Sequence, residues 1–218
     1  MNEMKRAVAC YLTATRINHQ DYRGYYSLGM AYVLGHNNSL GYYYLMRAIS
    51  LQYQSIDQGI TYRKSLPRLW LSLGEFLQST QQNGKALDAY HHGCHCDSGL
   101  ATTEGRKCLL NEWVLDPNQQ DLAVRWIGVA SANELITPEG MNCVRAGLDY
   151  LKACNTPENG LDVCKRLESM SSDVALLQVV KDYSTYFSSV VGSLDDSVSM
   201  DCSDYDVCSA NPIDTTNN

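Results

Sequence analysis

Apolar residues along this chain recur every three to four positions, the spacing of one helix face, and short polar clusters or prolines interrupt them. The pattern predicts helices over Glu3 to Arg16, Tyr22 to Leu34, Ser39 to Leu51, Pro67 to Thr80 and Lys85 to His95. Further helices are predicted over Thr103 to Leu115, Gln120 to Asn133, Pro138 to Cys154, Pro157 to Met170 and Asp173 to Tyr186. Asp21 is placed to cap the second of these, and Gly35 with His36, Asn37 and Asn38 reads as the turn that ends it. Pro67 opens the fourth helix where proline is tolerated, and Asn83-Gly84 reads as the turn before the fifth.

Two of these stretches carry one spaced signature. Tyr25-x2-Leu28-Gly29-x2-Tyr32 is followed by Gly41, Leu45 and Ala48; Trp70-x2-Leu73-Gly74-x2-Leu77 is followed by Ala86, Tyr90 and Gly93. This is the tetratricopeptide pattern, in which large residues of one helix lock against small residues of its antiparallel partner. The expected fold is therefore all-α, a right-handed superhelix of antiparallel helix pairs. The two repeat glycines lie 45 residues apart, about eleven more than the roughly 34-residue repeat, so an insertion is expected near 52–64. Ala7, Tyr11 and Ala14 repeat the small-large-small spacing, so the chain is expected to start in mid-repeat; Ala146, Tyr150 and Ala153 repeat it again. The expected organisation is a half repeat plus two full repeats over 1–98, divergent helical repeats and a closing helix over 99–190, and a disordered Ser/Asp-rich tail over 191–218.

Composition narrows the function. The formal net charge of −7 is concentrated at the end, where Asp195, Asp196, Asp201, Asp204, Asp206 and Asp214 stand with no Lys or Arg. The remaining body is close to neutral and offers no basic footprint, so no nucleic-acid partner is expected. Nine cysteines, with no charged-then-apolar leader, read as free thiols in a reducing compartment. Apolar runs such as Val174 to Val180 fall far short of the roughly 20 residues a bilayer requires, so no membrane partner is expected and the protein is expected to be soluble and intracellular. Seven of the fifteen tyrosines lie between Tyr22 and Tyr44, where an apolar ring with a polar tip suits interhelical packing.

Chemical motifs are sparse. His91-His92-Gly93-Cys94-His95-Cys96 offers imidazoles and thiols, but its C-x-C pair is tighter than a zinc knuckle and no second Cys/His pair is suitably placed nearby. No metal is expected there. The chain has no G-x-S-x-G, phosphate loop, dinucleotide fingerprint or H-E-x-x-H, so no catalytic residue and no cofactor are expected.

The runs Asp21-Tyr-Arg-Gly-Tyr-Tyr-Ser-Leu-Gly-Met-Ala-Tyr32, Leu40-Gly-Tyr-Tyr-Tyr-Leu-Met-Arg-Ala48 and Pro67-Arg-Leu-Trp-Leu-Ser-Leu-Gly-Glu-Phe76 resemble the repeat core of subunit 8 of the anaphase-promoting complex, the cell-division-cycle protein 23 family. The triplet Tyr42-Tyr43-Tyr44 separates this resemblance from a generic repeat, and Thr156 to Leu167 resembles the family's closing helix. The resemblance implies a non-catalytic scaffold subunit of a cullin-RING type ubiquitin ligase that drives mitosis and cell division, located in nucleus and cytoplasm. Its partners would be other subunits of that complex and a coactivator bearing an arginine-containing motif. Family members pair through amino-terminal repeats that this chain lacks, so no homodimer is expected.

In such repeats the first helix lines the concave groove, whose exposed positions here are Arg23, Tyr26, Met30 and Val33, then Arg68, Leu71, Glu75 and Gln78. Glu75, in the Gly-Glu pair that the resemblance covers, is the carboxylate expected to meet an arginine through a charge-assisted hydrogen bond. The plainer reading of Glu75 is a solvated charge near a helix centre. The alternative function is a general tetratricopeptide peptide-binding adaptor or cochaperone that clamps acidic tails.

Overall fold

The computed structural model describes residues 2–58, 65–96 and 99–200. Every regular element among them is helical: α1 (Asn2–Ile17), α2 (Tyr22–Leu34), α3 (Asn38–Asp57), α4 (Leu66–Ser79), α5 (Asn83–His95), α6 (Thr103–Leu115), α7 (Gln120–Val129), α8 (Ala132–Leu135), α9 (Pro138–Ala153), α10 (Pro157–Met170) and α11 (Val174–Met200). A 3₁₀ turn, Gly99–Ala101, precedes α6. The fold is all-α. Two compact units divide at Tyr150/Leu151.

In the first unit, α1 packs on α2, α2 on α3, α3 on α4 and α4 on α5; α6 lies against both α4 and α5, and α7 against α6. The α2–α3 hairpin begins where Asp21 Oδ1 accepts the backbone N–H of Arg23 at 3.0 Å. It turns through a Schellman motif: the N–H of His36 donates to the Val33 carbonyl and that of Asn37 to the Tyr32 carbonyl. The left-handed residue is His36, at φ 57°, and not Gly35, whose φ is −82°. The α4–α5 hairpin turns the same way with Gln81 at φ 59°, its N–H reaching Gln78 and that of Gln82 reaching Leu77. Asn83 and Gly84, expected in the turn, are the first two residues of α5 instead. Asn37 and Gln82 occupy the equivalent N-cap positions, but only Asn37 accepts a backbone N–H through its side chain, from Leu40 at 3.3 Å.

Each hairpin closes on a glycine. A Cβ at Gly29 would lie 2.8 Å from Leu45 Cγ, and one at Gly74 would clash with the ring of Tyr90. Leu28, Leu45, Ala48, Leu73, Ala86 and Tyr90 are buried around these contacts. Burying each leucine contributes about 1.5–3 kcal/mol of transfer free energy. None of the seven tyrosines from Tyr22 to Tyr44 is fully buried. Tyr44 packs inward, stacked at 5.4 Å on Tyr32, while Tyr42 and Tyr43 remain exposed.

Several boundaries differ from the sequence expectation for identifiable reasons. α3 continues six residues past Leu51 into the expected insertion, with Gln52 buried on its inner face; residues 59–64 lie outside the described residues. The helix expected over Gln120 to Asn133 breaks at Ala130 and Ser131, both extended. There Ser131-x-x-Glu134 forms a capping box that starts α8, with Glu134 Oε2 accepting from Ser131 N at 2.7 Å and Oγ at 2.6 Å. Arg106 Nε donates to the same oxygen at 2.9 Å and ties α6 to α8.

Two packing expectations also shift. The buried stripe of α9 runs through Gly140, Cys143, Val144, Gly147 and Leu148, with Gly147 against Ile127 of α7. Ala146 and Tyr150 are half-buried and Ala153 is exposed, one position out of the expected register. On α1 the expected Tyr11 and Ala14 are exposed, and Thr15 faces Gly24 of α2 instead.

The second unit holds the end of α9 with α10 and α11, and α10 packs on α11. Gly160 receives the ring of Phe187, which is 1% exposed. α11 spans Val174–Met200 and so overlaps the start of the stretch 191–218 in which a disordered tail was expected. The rest of that stretch, 201–218, lies outside the described residues.

Candidate protein-binding groove

The groove positions come from α2 and α4, which the structure joins directly. Tyr26 Oη and Ser72 Oγ form a hydrogen bond of 3.1 Å between the two helices. The Arg68 guanidinium sits 5.7 Å from the centre of the Tyr26 ring, within cation–π range. Arg23 is turned onto Asp21, with Nη2 at 2.8 Å and Nε at 3.0 and 3.1 Å from its two oxygens. The Arg23 contacts hold the Asp21 carboxyl below its ordinary range against a smaller opposing effect of burial. Arg23, Tyr26 and Arg68 thus converge on one cleft of about 520 Å³, whose wall also includes Tyr22, Ser27 and Glu104.

The other expected groove residues have different surroundings. Leu71 is 7% exposed and belongs to the core. Met30 and Val33 are half-buried, and Val33 Cγ2 covers Gly41. Gln78 is exposed, yet its Oε1 accepts the hydroxyl of Tyr90 at 2.8 Å and so braces the hairpin. Glu75 is exposed and does not line the Arg23–Tyr26–Arg68 cleft. Partial desolvation raises its carboxyl above the usual range, and the positive charge of Lys107 on α6 offsets part of that.

The segment from His91 to Cys96 closes α5, as expected, but its surroundings include a residue that sequence reasoning missed. Glu112 of α6, 3% exposed, lies against it. Glu112 Oε1 is 2.8 Å from His91 Nδ1, and Oε2 accepts the Cys94 thiol at 3.2 Å. Cys94 Sγ is 3.0 Å from His95 Nδ1, and Arg125 Nη2 of α7 stands 3.4 Å from His95 Nε2. Burial, reinforced by the Glu112 charge, pushes the Cys94 thiol well above its ordinary pKa. The expectation of no metal rested on the tight C-x-C pair and on the lack of a second Cys/His pair, and it did not consider a carboxylate from another helix. The only sequence signal for Glu112 was an acidic residue within the apolar stripe of a predicted helix.

The seven cysteines among the described residues are free thiols, with Cys94, Cys108, Cys143 and Cys164 buried and Cys10 and Cys154 exposed. Among the described residues, no helix is long and apolar enough to cross a membrane. No protein-family profile matches the chain, and no curated protein matches it.

Proposed function

We propose that this chain is a non-catalytic scaffold of the tetratricopeptide class, whose stacked helix pairs form a right-handed superhelix that holds neighbouring proteins. The observation that carries this reading is the repetition of one hairpin: Gly29 against Leu45 and Gly74 against Tyr90 stand at the same separation, each closed by a Schellman turn with a left-handed residue. Units of this kind bury a continuous core only by stacking, and they present exposed first-helix positions to partners.

The sequence resemblance extends the proposal to a subunit of the anaphase-promoting complex that positions neighbouring subunits during cell division and receives a coactivator's arginine-containing motif. Exposed Glu75 supports that ligand, because its carboxylate is accessible and incompletely compensated. The second reading, an adaptor for acidic peptides, draws on the cleft that Arg23 and Arg68 line together with Tyr26.

One experiment separates the two. The full chain is captured from dividing cells, and in parallel its affinity is measured for an arginine-bearing peptide and an acidic peptide. Co-purification with ligase subunits, together with loss of arginine-peptide binding in Glu75→Arg, supports the first reading. Recovery of heat-shock chaperones, with acidic-peptide binding lost in Arg68→Ala, replaces it with the second. Failure of both peptides and both captures removes the scaffold assignment.

A further inference from the structure

We propose that His91, His95 and Glu112 form a binding site for a divalent transition-metal ion of the zinc class, clipping the end of α5 to α6. The site is independent of the groove and of what the groove binds. His91 and His95 stand four residues apart, which places both imidazoles on one face of α5, with ring centroids 4.1 Å apart. α6 crosses that face and contributes the carboxylate. One donor atom from each of the three side chains lies within 4.8 Å of the others. Zinc bonds of about 2.0–2.2 Å to nitrogen and oxygen put neighbouring donors roughly 3.3 Å apart in a tetrahedron. Small side-chain rotations therefore close the set around an ion.

Three features mark this cluster as a site rather than a chance gathering. Glu112 has only 4% of its side chain exposed, and a buried carboxylate calls for a cation or a full set of hydrogen bonds. It is hydrogen-bonded to the His91 ring and the Cys94 thiol, and an ion displacing the proton between His91 Nδ1 and Oε1 would supply a full opposing charge. His95 Nδ1 lies 3.0 Å from the His91 carbonyl. An N–H donated to a backbone carbonyl is the hold that orients metal-ligating imidazoles, and it leaves Nε2 as the lone-pair nitrogen. Arg125 Nη2 approaches that nitrogen at 3.4 Å and is the group an ion must displace. The imidazoles are also exposed, which gives the ion an entry path and leaves a coordination position for water.

The arrangement differs from a zinc knuckle, because two ligands come from one helical turn and the third from the next helix. Cys94 stands beside the set with its thiol on Glu112 and is not needed as a ligand.

The test uses the full chain without a histidine tag, in a Cys10→Ser/Cys154→Ser background that removes exposed thiols. Cys202 and Cys208, which lie outside the described residues, are changed to Ser as well. After chelator treatment it is titrated with Zn(II), and separately with Co(II), by calorimetry at neutral pH under a reductant. The expected result is one equivalent bound, with a melting temperature that rises with metal concentration. His95→Ala and Glu112→Gln should each weaken binding at least tenfold, and Arg125→Ala should tighten it by removing a competing cation. Circular dichroism checks the Glu112→Gln fold; if that variant unfolds, the exposed pair His91→Ala/His95→Ala decides. No stoichiometric uptake, or affinity unchanged in His95→Ala or in folded Glu112→Gln, overturns the site.

Discussion

Gly74 packs against the ring of Tyr90, so close that a Cβ at position 74 would stand 2.6 Å from Tyr90 Cδ1. Tyr90 is fully buried and holds its hydroxyl on Gln78, so the ring has nowhere to retreat. Gly74→Ala gains about 1 kcal/mol of helix propensity, while overpacking a filled core costs about 1–3 kcal/mol or more. The packing loss wins, and denaturant unfolding should show net destabilisation. Gly84 has open space where its Cβ would be, so Gly84→Ala in the first turn of α5 should stabilise by roughly 0.5 kcal/mol. Equal effects at the two positions would disprove the repeat contact.

Among the described residues, three non-glycine residues have positive φ, and each is the left-handed residue of a Schellman turn: His36, Gln81 and Asn155. Left-handed backbone costs an L-residue about 1–2 kcal/mol, less for asparagine. His36→Gly and Gln81→Gly should each raise stability by roughly 0.5–1 kcal/mol after the greater unfolded-chain entropy of glycine is counted. Asn155→Gly should change it less. A loss of stability at His36 or Gln81, measured by denaturant midpoint, would contradict the turn geometry.

Glu134 gives the first unit a pH dependence with a definite sign. Desolvation, the largest influence on its carboxyl, raises the pKa, but the Ser131 and Arg106 hydrogen bonds outweigh it and leave the folded value lowered. A lowered folded pKa means stability present above the ordinary glutamate range near about 4.3 and lost as pH falls through the folded value. Glu134→Gln should therefore be less stable than the parent at pH 7, by about 1–3 kcal/mol for a charged hydrogen-bonded group. The gap should close in acid. A gap that widens with acidification would refute the assignment.

Thiol reactivity should follow burial. Cys10 and Cys154 are exposed, whereas burial pushes Cys143 up to about 12 and Cys164, with help from the Glu168 charge, up to about 11. Alkylation of the folded chain at neutral pH, mapped by mass spectrometry, should label Cys10 and Cys154 well before Cys143 and Cys164. Simultaneous labelling of all four would show that the helices around Cys143 or Cys164 are open.

Local patterning made the helices legible. The bounds of α6 and α10 follow from a capping threonine and a proline followed by apolar spacing, because a helix is built from contacts three and four residues apart. The closing contacts of both hairpins were also readable, since glycine, leucine and tyrosine at fixed offsets can pack only one way between antiparallel helices. Ser131-x-x-Glu134 carried a readable helix-start signal, but it was hidden by the apolar spacing that surrounds it.

What only tertiary structure decided depends on how separate helices meet. Of the groove residues, Arg23, Tyr26 and Arg68 share a cleft while Leu71 is drawn into the core and Gln78 into the hairpin, because interhelical distance and rotation select among positions that look equivalent on one helix. The same holds for Glu112. Seventeen residues after His95 in the chain, it reaches the α5 imidazoles because α6 folds back across them, and periodicity within a single helix carries no information about that crossing.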